Sequence, residues 1–162
     1  LKYLHSGGYR VVEIIEQEEE KMRISAAVLA SLPEWFGIPE STAVYVQECR
    51  EYPFWADICS GIPRGFITLK ETSPYTAEIY VMGVRKEYHR MGIGHKLFER
   101  FYDYVQKRGY LFIQVKTVKE GRCPEYDVSN AFYKSLGFRE FECIDTLWDS
   151  SNPCQIYIMA VT

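Results

Sequence analysis

The stretch YHRMGIGHKLF (88–98) sets Gly92 and Gly94 one residue apart, among the basic or imidazole side chains of His89, Arg90, His95 and Lys96. Glycine lets backbone approach a ligand closely, and the amphipathic run from Ile93 onward makes this turn the start of a helix. Unpaired N–H groups at a helix start, joined to the positive end of its dipole, hold anions. Leu97 stands where a dinucleotide fingerprint needs its third glycine, and the spaced Gly-Lys-Ser/Thr of a nucleotide P-loop is missing. The chemistry on offer is a local anion cradle made of backbone amides.

Other chemistry-bearing residues are scattered. Cys49, Cys59, Cys123, Cys143 and Cys154 contain no C-x-x-C pair, and His5, His89 and His95 form no ligand constellation with them. The sequence therefore predicts reduced thiols, no metal and a cytoplasmic setting.

The elements that must position the turn follow from periodicity. YRVVEII (9–15) reads as an opening strand, and EEEKMRISAAVLASL (18–32) as a helix with Met22, Ala26, Leu29 and Leu32 on one stripe. Pro33, Gly37 and Pro39 break it before a second helix from about Glu40 to Arg50. FWADIC (54–59) and GFITLKET (65–72), joined through Gly61 and Pro63, and AEIYVMGV (77–84) read as strands. After the glycine turn comes a helix with Ile93, Leu97, Phe101 and Val105 inward, capped at Gly109. LFIQVKTV (111–118) reads as a buried parallel strand, CPEYD (123–127) as a loop and SNAFYKSLG (129–137) as a short helix. FREFECIDTLW (138–148) and CQIYIMAV (154–161) close the chain as strands around a DSSNP turn. The fold class is α/β (α+β): a mixed sheet with helices packed on it.

HRMGIG (89–94), behind a strand ending in Gly83 and Val84, resembles the Gln/Arg-x-x-Gly-x-Gly/Ala signature of the GNAT superfamily of acyl-CoA-dependent N-acyltransferases. It departs at the first position, where His89 replaces Gln or Arg. NAFYKSLGF (130–138) resembles the superfamily's F-Y-x-x-x-G-F helix ending, and the two matches together span roughly residues 61–138. TLWDSSNPCQIYIM (146–159) is similar to a bacterial subgroup with V-K-T and L-W…N-P-C segments. The resemblance implies a mostly antiparallel sheet of about seven strands, splayed at the cofactor site and flanked by about four helices. It implies one N-acetyltransferase domain over 1–162, with acetyl-CoA as co-substrate and no metal. Backbone from Arg90 through Met91, Gly92, Ile93 and Gly94 to His95 would hold the CoA pyrophosphate, with His89 and Lys96 beside it. Met82 and Val84 would pair with the pantetheine arm, and Asn130 would bond to cofactor or backbone.

Moving an acetyl group from a thioester to an amine needs a proton acceptor, donors for the tetrahedral oxyanion and an acid for the departing thiolate. Tyr133 matches the family's catalytic tyrosine, and its phenol is protonated at neutral pH. Glu78, a carboxylate in an apolar strand, is the base candidate, working through water as family members' glutamates do. Strand alternation puts Glu78, Tyr80 and Met82 on one face, opposite Ile79 and Val81. Trp35 and Phe36, in the break between the first two helices, would shape the acceptor pocket for an apolar or cationic amine.

The remaining classes are bounded by bulk properties. The 162 residues are 47% hydrophobic and 15% aromatic, enough for a packed core. A net charge of −3 offers no basic footprint for nucleic acid. No apolar run or secretory leader is apparent, so no membrane partner is expected. The expected partners are a CoA thioester and a small-molecule or peptide amine, with a homodimer left open. The alternative reading is a non-catalytic acyl-CoA-binding regulatory module.

Overall fold

The computed structural model describes residues 12–162; His5 and the first residues of the expected opening strand lie outside this range. In chain order the elements are β1 (Val12–Ile14), α1 (Glu18–Ala30), α2 (Pro39–Cys49), β2 (Phe54–Cys59), β3 (Ile62–Ser73) and β4 (Thr76–Val84). A 3-10 turn (Lys86–Tyr88) leads to α3 (Ile93–Arg108), β5 (Phe112–Val118), α4 (Pro124–Ser135), β6 (Arg139–Asp149) and β7 (Asn152–Ala160). One seven-stranded sheet runs β1-β2-β3-β4-β5-β7-β6. Every pairing is antiparallel except β4 with β5, where α3 makes the crossover that a parallel pair needs. The expected mixed α/β architecture is the one observed.

Two apolar layers cover the sheet. On one face Leu97, Phe101 and Val105 of α3 meet Ile67, Ile79, Ile113 and Tyr157. On the other, Ile24, Val28 and Leu29 of α1 pack on Phe54, Phe66 and Val81. The inward stripe of α1 is thus rotated from the expected one: Ala26 is exposed and Met22 half-buried, while Ile24 and Val28 go in. Lys21 is drawn in with them because its ammonium donates to the carbonyls of Arg50 and Tyr52, at 3.3 and 2.7 Å.

Local chemistry corrects three further expectations. The β2–β3 turn is Ser60–Gly61, both at positive φ (50° and 75°) as a tight hairpin requires, and Pro63 lies within β3. CPEYD is not a loop: Cys123 is the N-cap of α4 and Pro124 its first residue, a position where the missing N–H costs nothing. β5 is parallel to β4 but alternates, with Ile113 and Val115 buried and Gln114 and Lys116 half-exposed.

Candidate active site

The site exists because β4 and β5 part. Their pairing runs from Thr76–Phe112 to Ile79–Val115 and stops, although β4 continues to Val84 and β5 to Val118. Just there β4 carries a bulge: Ile67 pairs with Met82 but Leu69 with Ile79, so Tyr80 and Val81 together oppose Thr68. Bulges bend a strand and increase its twist. Thr68 is fully buried and satisfies the displaced backbone, accepting from the Val81 N–H (3.0 Å) and donating to its carbonyl (3.1 Å). Beyond the bulge, Gly83 lies against α1, where a β-carbon would meet Val28 and Leu32 at 3.2 Å.

The bulge overturns the expected alternation. Tyr80 and Val81 both pack on the α1 side, and Met82 returns with Ile79 to the α3 side. A single 790 Å³ cavity passes between the parted strands and is lined from both faces. That volume lies within the range of small-molecule sites.

On the α3 side the glycine turn is built as the anion cradle requires. Arg90 (φ 60°) and Gly92 (φ 77°) take left-handed backbone, and Gly92 is the N-cap of α3. No side chain caps this helix and its first turn has no acid, so its leading amides keep no internal competitor for an anion. His89, Arg90, Gly92, Ile93, Gly94 and His95 border the cavity together with Met82 and Val84. Met91 and Lys96 are exposed residues of the same turn outside the lining. His89 turns inward: its Nε2 is 2.6 Å from the Val84 carbonyl oxygen and its ring meets Trp35 edge-on at 5.9 Å. The substituted signature position therefore braces the strand end, and Arg90 is left as the outward cation.

Tyr133 lines the cavity from α4, its ring among Phe132, Phe138 and Tyr157. Its hydroxyl has no hydrogen-bond partner among the described residues, and burial raises its pKa above the ordinary phenol value. It is a protonated donor at neutral pH. Glu78 enters from the other face, where its Oε2 accepts from Gln114 Nε2 at 3.1 Å and lies 3.3 Å from Lys116 Nζ. The reading of β5 as a buried strand passes over Gln114 and Lys116, whose polar alternation was the available signal, and Thr68 carried no comparable signal.

Trp35 and Phe36 also line the cavity, joined by Tyr45, Tyr80, Tyr126 and Trp148. The Trp35 indole donates to the Glu125 carbonyl (3.0 Å) and Ser129 Oγ (3.1 Å), and Tyr126 donates to the Trp35 carbonyl at 2.6 Å. The α1–α2 loop is thereby tied to α4 within the cavity lining. Asn130 takes the backbone alternative: fully buried in the middle of α4, it donates to the carbonyls of Val118 and Tyr126 and accepts from Tyr157. With each polar atom engaged, it anchors α4 to β5 and β7 and is not among the residues bordering the cavity. Among the described residues no group of three or more His, Cys, Asp or Glu side chains is placed to hold a metal. No helix there is long and apolar enough to cross a membrane.

Comparisons with known proteins agree with this geometry. The family described as Acetyltransferase (GNAT) domain matches residues 42–140. The N-alpha-acetyltransferase RimI of Mycobacterium tuberculosis is 29% identical over 75 residues, 46% of this chain and 42% of that protein, so the match spans less than half of the relative's length. A GNAT-family structure from Desulfovibrio desulfuricans superposes with a TM-score of 0.81 at 17% identity, over 94% of this chain and 100% of its own. A Salmonella typhimurium protein solved with its cofactor acetyl-CoA gives 0.68 at 15% identity, over 94% and 95%. The chain belongs to the GNAT acetyltransferase family.

Proposed function

We propose that this chain is an N-acetyltransferase that moves an acetyl group from acetyl-CoA to a primary amine by direct attack within a ternary complex, in the cytoplasm. The observation that carries the reading is the parting of β4 from β5 beyond Ile79–Val115, which opens one cavity to the α3 amides, Tyr133 and Glu78. Acetyl-CoA fits as co-substrate on the α3 side, with its pyrophosphate on the amides of residues 90–95, Arg90 beside it, and its pantetheine arm along Met82 and Val84. The acceptor enters from the α1–α2 side past Trp35 and Phe36. Glu78 takes the amine's proton through water, the nitrogen forms its bond to the acyl carbon, and the carbon–sulfur bond breaks. Tyr133 gives its proton to the departing thiolate. No step needs a metal.

Thiol release from acetyl-CoA against a panel of amines tests this reading. Amine-dependent thiol with matching N-acetyl product supports it. Acetyl-CoA binding without amine-dependent release would favour the non-catalytic acyl-CoA-binding alternative.

A further inference from the structure

We propose that the acceptor is a small arylalkylamine, a primary amine with an aromatic body and a single positive charge, and not a polycation. This rests on the acetyl-transfer reading and concerns the acceptor half of the same cavity.

The walls there are rings. Phe36, Tyr45 and Tyr80 form an edge-to-face chain with centroids 6.1 and 5.8 Å apart, and Trp35, Tyr126 and Trp148 also line the cavity, together with the aliphatic Leu32, Val128 and Leu147. Burial raises the pKa of Tyr45, with Glu48 adding to it, and pushes Tyr126 up to about 12, so both rings stay neutral. The Trp35 N–H is consumed by Glu125 and Ser129, which leaves that ring an apolar contact. Rings placed this way accept another aromatic group edge-on and tolerate one ammonium over a face.

Charge decides against a polycation. Glu78 is the one carboxylate among the described lining residues; Lys116 already faces it, and Arg90 adds a further cation. The carboxylates nearby are engaged as well: Glu48 accepts from Tyr80, Glu34 lies 2.8 Å from Lys86, and Glu125 accepts from the Cys123 thiol. Each extra ammonium of a polyamine or aminoglycoside would enter without a free anion to meet it, and burying an unpaired charge is costly.

The test compares kcat/KM in the thiol-release assay for phenethylamine and tryptamine with that for spermidine, kanamycin and a short peptide bearing a free N-terminal alanine. Calorimetric binding of the same amines to CoA-loaded protein runs beside it. The arylalkylamines should be preferred by about tenfold or more and should bind. Tyr45→Leu, which keeps apolar bulk and removes the ring, should raise their KM about tenfold with CoA affinity unchanged. Trp148→Leu, at an exposed hairpin position, should shift KM the same way should the α2 variant fail to fold. Preference for spermidine, kanamycin or the peptide would overturn the inference, as would absent arylalkylamine binding to the CoA-loaded chain. Failure of the unmodified chain to bind CoA at all would instead remove the acetyl-transfer reading, and this inference with it.

Discussion

Gly94 and Phe132 stand so close that a β-carbon on Gly94 would lie 3.1 Å from the Phe132 ring. The first turn of α3, with its free amides, is therefore seated directly against α4, whose next residue is Tyr133. The glycine turn and Tyr133 are held near each other through Phe132, whose ring also meets that of His95 edge-on at 5.3 Å, and this gives the two glycines different jobs.

Gly94→Ala should force the Phe132 ring to yield by a few tenths of an ångström, with Tyr133 beside it. Overpacking a contact this tight should cost about 1 kcal/mol at this half-buried position, so melting temperature and kcat should both fall. Gly92 has open space around its missing side chain but a φ of +77°. Gly92→Val should cost about 1–2 kcal/mol for the left-handed backbone, keep the fold, and lose CoA affinity as the turn relaxes. Calorimetric melting and CoA titration of the two variants separate these outcomes.

Glu78 depends on Lys116. Lys116→Met would leave a 5%-exposed carboxylate without its cation, and because the lysine head is itself partly solvated the loss should be about 1–2 kcal/mol in urea unfolding. Glu78→Gln should depress kcat/KM most at low pH, where free amine is scarce, and recover partly as pH rises. A variant with an unchanged pH profile would return Glu78 to a structural role.

Trp35→Phe keeps a ring in the cavity lining and removes the donor to Glu125 and Ser129. Lost hydrogen bonds of this kind are worth about 0.5–1.5 kcal/mol each. The loop should loosen from α4, and the acceptor KM should rise with CoA affinity little changed, as steady-state kinetics would show.

Burial pushes the Cys49 thiol up to about 12 and Cys154 up to about 11. Both should resist alkylation in the native protein and react on unfolding, read by mass spectrometry. Raised thiol values favour the protonated folded form. This contribution is complete below the unfolded value near 8.5 and is lost as pH climbs toward 11 to 12.

Helix and strand positions were largely legible, because the stripe Ile93, Leu97, Phe101 and Val105 and the β-branched runs have clean periods. Gly92 and Gly94 stand out for another reason, since a glycine turn between strand and helix has one sensible geometry, and Tyr133 is named through the resemblance of NAFYKSLGF to the GNAT helix ending. The bulge at Tyr80–Val81 was hidden: it depends on the Thr68 hydroxyl, thirteen residues away from Val81 in sequence, replacing ladder hydrogen bonds. Alternation therefore put Met82 on the wrong face. CPEYD reads as a loop although Pro124 opens α4, and the choice between cofactor and backbone for Asn130 stays open in the sequence because its buried partners on β5 and β7 are distant along the chain. The aromatic cavity lining is contributed by the α1–α2 loop, α2, β4, α4 and the β6–β7 hairpin, a convergence of which only Trp35 and Phe36 were marked by a local pattern.

The account stands most directly on Tyr133→Phe. The substitution preserves the ring among Phe132, Phe138 and Tyr157 and removes only the hydroxyl of this cavity-lining side chain. Turnover of acetyl-CoA with a competent amine should fall by roughly 10²–10⁴-fold, the usual scale for a general acid, while calorimetric acetyl-CoA affinity stays nearly unchanged. Near-normal turnover in that variant would contradict the assignment and place the proton donor elsewhere.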